Sequence, residues 1–396
     1  MTPAKSRNPG LDTLRAGAIA LVFMYHYMVF VSGRQTFGWL SEVGWVGVDL
    51  FFVLSGYLIA NQLFAGMARG QALSLPRFYA RRAFRTLPVY WLVLAAFALF
   101  PSAMGGRPPP PWWRFLTFTQ NIGLQPGTAF SHAWSLCVEE QFYLVLPAIL
   151  ALGAWLARGR MTLTRAHGWV LMGALVALGV AARCILWQKY GRVADGRVDG
   201  YMSWIYYATL CRFDEFIPGV AMAMLKNFHR PAWQRLMARG RLLGTVGALA
   251  VLAMLTQAYR YYQIDGYGWG FFMTAFGYSL VAASFALLVA AALSPAPGPL
   301  RWHLPGTDKL ALWSYSTYLS HKPLAYFLAQ QLKPLGVSDG ARLAVITLAC
   351  VAAGGLLYML VEAPFMALRD RLVPSNFQDG TAASPHSLSL NSEAAR

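Results

Sequence analysis

Runs of about twenty mostly apolar residues recur from one end of this chain to the other, and that recurrence limits the fold more than any other feature. A run of that length crosses the hydrocarbon of a bilayer as a helix, which satisfies every backbone N–H and C=O internally. Ten such runs are predicted, at 12–32, 44–64, 86–104, 133–157, 167–187, 204–225, 242–258, 269–293, 310–332 and 342–364. The fold class is therefore all-α, a polytopic membrane helix bundle of about ten transmembrane helices. Composition agrees: 57 % of the 396 residues are hydrophobic and 12 % charged, more apolar than a soluble core requires.

A net charge of +17 raises the question of nucleic acid, but the basic residues sit between the apolar runs, form no single stripe and accompany no nucleic-acid motif. Topology explains them better. With the N-terminus inside, the inner segments carry more than twice the Lys and Arg of the outer ones, which predicts both termini in the cytoplasm. The four cysteines, Cys137, Cys184, Cys211 and Cys350, lie in or beside apolar runs without paired spacing, so neither a disulfide framework nor a metal site is expected. The first run is too long and too polar at its heart for a cleaved leader and is expected to be retained. No phosphate loop of an ATP-driven pump is present, and no repeat of twenty to fifty residues.

Between the runs, Pro108 to Pro111 followed by Trp112 and Trp113 predict a stiff extended turn leading to an interfacial anchor. The stretch Gln188–Tyr207, with Tyr201, Trp204, Tyr206 and Tyr207, reads as an interfacial segment, with a sugar-stacking surface as the other reading. Leu372–Arg396, rich in Ser, Ala and Asn, is expected to be a disordered tail.

Ionisable residues inside membrane helices are costly, and those present are the first candidates for function. Arg15 and His26 stand eleven residues apart on the first run, which places both on one helix face about 16 Å apart along the axis. They suit a ligand with an anionic end and a reactive end; equally open is an Arg15 that snorkels to headgroups and a His26 hydrogen-bonded at a helix contact. Arg81, Arg82 and Arg85 cluster at the start of the third run, where Arg82 and Arg85 face the same way if the helix begins early, as a multidentate phosphate clamp or as a positive-inside signal. Adjacent Glu139 and Glu140 must point to different faces, so Glu139 is expected to face inward and orient His26 while Glu140 sees headgroups; complementing the helix dipole is the alternative. Ser314, Tyr318 and His321 form a polar stripe on the ninth run. Asp49 adds intramembrane charge, and Arg212 is expected to pair locally with Asp214 or Glu215.

Six segments, LDTLRAGAIALVFMYHY, GWVGVDLFFVLSGYLI, RFYARRAFRTLPVYW, HAWSLCVEEQFYLVLP, SYSTYLSHKPL and VEAPF, occur in this order from Leu11 to about Arg371, and in them the chain resembles the membrane-bound acyltransferase-3 family. That resemblance implies a transmembrane acyltransferase domain over residues 1–371, with 372–396 as its cytoplasmic tail, in a bacterial cytoplasmic membrane. It implies transfer of an acyl group, usually acetyl, from cytoplasmic acyl-CoA to a carbohydrate hydroxyl, without a metal and alongside envelope-polysaccharide assembly machinery. Carried over, His26 is the catalytic histidine with Arg15 its R-x10-H partner, and Arg82 and Arg85 meet the donor's phosphates; beside them Glu139 is expected to act with His26, and Arg15 and Arg81 to help bind the donor. Asp49, Ser55, Tyr143, Tyr318 and His321 are expected to line the cavity. Lys322 departs from the family, which often has tryptophan or a similar residue there. A secondary transporter or flippase with an intramembrane His/Glu proton relay is the competing reading.

Overall fold

A computed structural model describes residues 8–158, 165–192, 199–295 and 304–378. The first helix, α1 (Pro9–Tyr27), starts where the Asn8 side chain accepts from the backbone N–H of Gly10 at 2.9 Å and of Leu11 at 3.3 Å, with Pro9 in the turn where a missing N–H costs nothing. It continues through a π turn, Met28–Ser32, and stops at Gly33, whose φ of 65° is the left-handed cap glycine tolerates. The other helices of ten residues or more are α2 (Gly47–Ala68), α3 (Leu75–Leu99), α4 (Trp134–Arg158), α5 (Arg165–Tyr190), α6 (Ile217–Phe228), α7 (Gly240–Tyr261), α8 (Tyr278–Leu293), α9 (Thr307–Leu332), α10 (Asp339–Leu357) and α11 (Ala363–Leu372). Two short antiparallel pairs, β1 (Ala72–Leu73) with β4 (Phe377–Gln378) and β2 (Gln263–Ile264) with β3 (Gly268–Trp269), are the strands among the described residues.

Eight helical segments among the described residues are long and apolar enough to cross a membrane. Helix α9 coincides with the ninth expected span, and its polar stripe keeps it outside that set. The sixth expected span is not one helix. From Met202 the chain runs through a π turn to Tyr206, a short helix Thr209–Arg212 and a 3-10 turn Phe213–Phe216 before α6. Three ionisable residues in succession are the cause, because each is drawn into a buried ion pair. Arg212 donates to Asp49 on α2 at 3.1 Å and also pairs with Glu215, while Arg183 on α5 grips Asp214 through two bonds of 2.7 and 2.9 Å. Irregular backbone at membrane depth survives only where protein surrounds it, and these side chains are fully buried.

The bundle is built around α2. Of its most apolar window, 83 % is buried inside the protein, against 22 % for α5 and α7, whose outer faces are apolar as a lipid-facing helix requires. Two glycines set the contact between α2 and α6. A Cβ at Gly56 would meet the Phe216 carbonyl, and one at Gly219 would lie 2.5 Å from the Tyr57 nitrogen, so the backbones touch where only glycine fits. Against this pair α1 packs on α2 and α9, and α9 on α10. That packing brings His26 and His321 face to face.

Two expectations about the periphery change. Of the four aromatics, Tyr201, Tyr206 and Tyr207 are buried and Trp204 is exposed, so residues 201–207 contribute core where an interface was expected, while residues 193–198 of the stretch lie outside the described residues. The Tyr201 hydroxyl finds partners inside, bonding Thr274 at 2.9 Å and Tyr278 at 3.2 Å. Residues 372–378 do not belong to a structureless tail. The Ser74 N–H bonds the Asn376 carbonyl at 2.9 Å, and β1 and β4 pair Ala72 with Gln378 and Leu73 with Phe377. Residues 379–396 lie outside the described residues. Trp112 and Trp113, at the expected interfacial anchor, are exposed on a short helix, Trp112–Leu116.

Candidate active site

Helix α3 begins at Leu75, eleven residues before the predicted span, so Arg81, Arg82, Arg85 and Thr86 all lie on its first four turns. They open onto a cavity of about 360 Å³ between α1, α2, α3, α4 and α9. Arg15 from α1 and Arg369 from α11 complete a ring of five arginines around it. The walls above are apolar, with Val48, Phe51, Leu58 and Ile59 of α2, and the far end is Ser135 and Tyr318. The basic end is open, the Arg85 side chain being 36 % exposed, while Ser135 and Tyr318 are buried.

Each arginine is held differently. Arg81 donates to Asp370 at 2.7 Å and to the Val373 carbonyl at 2.7 Å, tying the cavity's rim to the C-terminal segment. The Arg82 guanidinium lies 3.8 Å over the Tyr143 ring and 3.3 Å from Glu140, and its buried Nε has no partner. Arg85 stands 3.9 Å from Glu362, a buried carboxylate that Ser316 also holds at 2.8 Å. Arg15 makes no hydrogen bond or ion pair among the described residues, which leaves its charge directed into the cavity. Five guanidiniums around one mouth have the charge and the donor geometry that suit a multiply charged anion.

Glu139 and Glu140 both line this cavity. Glu140 is not the headgroup-facing residue expected, because the Arg82 guanidinium reaches back from α3 to pair with it. Glu139 accepts from Ser55 and from Tyr143, so the carboxylate expected to orient His26 is engaged with α2 and its own helix instead. Asp49 does not line the cavity; Arg212 holds it in the core.

His26 and His321 also lie outside the cavity lining, behind its closed end. The Tyr318 hydroxyl donates to the His132 carbonyl at 2.6 Å and shares a 2.5 Å bond with Ser135. Beyond this latch three imidazoles converge: His26 Nδ1 is 2.7 Å from His321 Nε2, and the His132 ring lies 6.2 Å from that of His26 and 5.9 Å from that of His321. His26 is half-buried, its ring 5.5 Å from Phe30, over which the Lys322 ammonium sits at 4.1 Å. No group of His, Cys, Asp and Glu with metal-holding geometry occurs among the described residues.

An uninterrupted helix thus carries a guanidinium into the arginine-lined cavity at one end and an imidazole behind that cavity at the other. The profile of the acyltransferase-3 family, described as an acyltransferase domain, matches residues 8–361. The chain belongs to this family. Peptidoglycan O-acetyltransferase OatA of Listeria monocytogenes is 26 % identical over 344 residues, which cover 80 % of this chain and 49 % of the relative. YrhL of Bacillus subtilis, whose name gives peptidoglycan O-acetyltransferase as a provisional assignment, is 29 % identical over 341 residues, covering 80 % of this chain and 48 % of the relative. O-acetyltransferase OatA of Staphylococcus aureus is 31 % identical over 161 residues, 36 % of this chain and 24 % of the relative. The chain spans about half the length of the curated relatives it matches most extensively. No solved structure matches it significantly.

Residues that sequence reasoning did not single out also line or adjoin the cavity. His132 and Glu362 stand in the quoted segments HAWSLCVEEQFYLVLP and VEAPF without having drawn a role. Arg369 and Asn376 carried no signal of their own, because only the fold of the C-terminal segment over β1 brings them to the cavity.

Proposed function

We propose that this chain is an integral membrane O-acyltransferase that takes an acyl group, acetyl as the first choice, from acyl-CoA and transfers it to a carbohydrate hydroxyl. The observation that carries the reading is the single cavity joining five arginines to a closed end beside the histidine cluster. Phosphates cannot enter hydrocarbon, so the nucleotide stays at the arginine mouth on the cytoplasmic side while the slim pantetheine arm follows the apolar wall. A cavity of about 360 Å³ is near the lower bound of small-ligand sites, which suits an arm and not a whole nucleotide.

The reaction then runs at His26. An imidazole nitrogen takes the proton of the acceptor hydroxyl as its oxygen forms a bond to the thioester carbonyl carbon; the C–S bond breaks, and the same proton leaves on the thiol of free CoA. Tyr318 stands between thioester and base, so its bond to Ser135 opens when the arm arrives. The relatives' names point to a cell-wall glycan among the acceptors, and a polysaccharide, a lipid-linked sugar or a glycolipid in a bacterial cytoplasmic membrane fits the same chemistry.

The test is incubation of membranes with radiolabelled acetyl-CoA and an envelope glycan fraction. Label moves to carbohydrate with the wild type, and His26→Ala loses roughly 10²–10⁴ in rate, the usual worth of a positioned base. Wild-type transfer by that variant removes His26 from the mechanism, and solute flux without CoA release removes the enzyme reading altogether.

A further inference from the structure

We infer that His321 is the positioning residue of the reaction, the group that fixes which nitrogen of His26 is the base; the inference rests on the acyl-transfer reading above. His321 Nδ1 lies 3.0 Å from the Thr317 carbonyl and 2.8 Å from the Tyr318 carbonyl, both on its own helix α9. A carbonyl oxygen accepts and cannot donate, so Nδ1 of His321 carries the hydrogen. A neutral imidazole has one N–H, which leaves Nε2 of His321 bare. That bare nitrogen sits 2.7 Å from His26 Nδ1, with the two rings within 12° of parallel. His26 Nδ1–H therefore donates to His321, and the lone pair of His26 is on Nε2, which has no partner among the described residues.

The backbone of α9 thus dictates the tautomer of a side chain on α1. Burial makes the arrangement firm: His321 is 1 % exposed, so water cannot substitute for either partner. When Nε2 of His26 takes the hydroxyl proton, the resulting imidazolium keeps its Nδ1–H bond to a ready acceptor. An orienting carboxylate does this in a serine-hydrolase triad, and Glu139 is engaged elsewhere. His132 does not compete, because its Nε2–H donates to the Leu319 carbonyl at 3.1 Å and its Nδ1 is a bare acceptor without a partner.

Three variants and one spectrum test this in the full chain, in membranes or detergent. His321→Leu should lower kcat by roughly 10²–10⁴ and leave KM for acetyl-CoA unchanged, the size of effect seen when a triad histidine adopts the wrong tautomer. His321→Gln, whose amide oxygen can accept from His26 Nδ1–H, should recover most of that loss. Nitrogen-15 NMR of histidine-labelled wild type, assigned by omission in His26→Ala, should give His26 a protonated Nδ1, a bare Nε2 and a coupling across the bond to His321. A wild-type kcat for His321→Leu overturns the inference, as does a bare Nδ1 on His26, a result the folding of the variant cannot affect. Full activity of His26→Ala would instead sink the functional reading while leaving the measured tautomer in place.

Discussion

Arg82 and Arg85 show how a three-residue spacing becomes a site only through its neighbours. Both face the cavity as their helical spacing requires, yet each is restrained from another element, Arg82 by Glu140 of α4 and Arg85 by Glu362 beyond α10. Those carboxylates hold the guanidiniums without neutralising the mouth, since Arg15 adds a charge that makes no ion pair among the described residues. A hydrogen bond to a charged group is worth about 1.5–3 kcal/mol, so Arg82→Ala and Arg85→Ala are each expected to raise KM for acetyl-CoA roughly ten- to hundredfold. The double variant should also lose most of the salt dependence of binding. Titration of CoA at two ionic strengths reads both effects, and an unchanged affinity would remove the clamp.

At the scale of helices, the site depends on how closely α2 and α6 approach. Gly56 and Gly219 let their backbones touch, which fixes the depth at which α2 presents Ser55 and Phe51 to the cavity. Gly219→Val forces a side chain against the Val53 carbonyl and the Tyr57 nitrogen and is expected to cost about 1–3 kcal/mol or more, read as a lower melting temperature in detergent. Gly17→Ala is the matched control, because a Cβ there meets nothing within 4 Å, and it should melt like the wild type. Equal melting of the two variants would show that the close approach does not matter. The broken helix before α6 belongs to the same scale: apolar length predicts one span at 204–225, but three buried ionic side chains reshape its backbone.

In the whole molecule the first helix and the segment that follows α11 meet at the arginine mouth. Helix α1 supplies Arg15, and the C-terminal segment pairs β4 with β1, places Asn376 in the cavity lining and gives its Val373 carbonyl to Arg81. Removal of residues 373–396 should therefore raise KM for acetyl-CoA several-fold with little change in kcat, because the histidine cluster lies at the opposite end of the cavity. Steady-state kinetics of the truncated chain decide the matter; a fall in kcat at constant KM would place the segment's role elsewhere. The expectation that order ends at Leu372 failed for a physical reason. Two residues of strand carry no periodicity of their own and become visible only once β1 offers them a partner.

The sequence alone determined the fold class, the membrane setting, the family and the arginine and histidine positions, because apolar run length and helical spacing are local properties that each segment carries with it. It placed Arg15 and His26 on one helix and Arg82 beside Arg85. Only the tertiary structure decided what those groups face. Packing of α1 against α9 gives His26 a histidine partner where a carboxylate was expected, packing of α3 against α4 brings Glu140 inside, and burial of Arg212 takes Asp49 out of the cavity. Partner choice depends on the distance and rotation between helices far apart in the chain, and spacing along one helix holds no record of either.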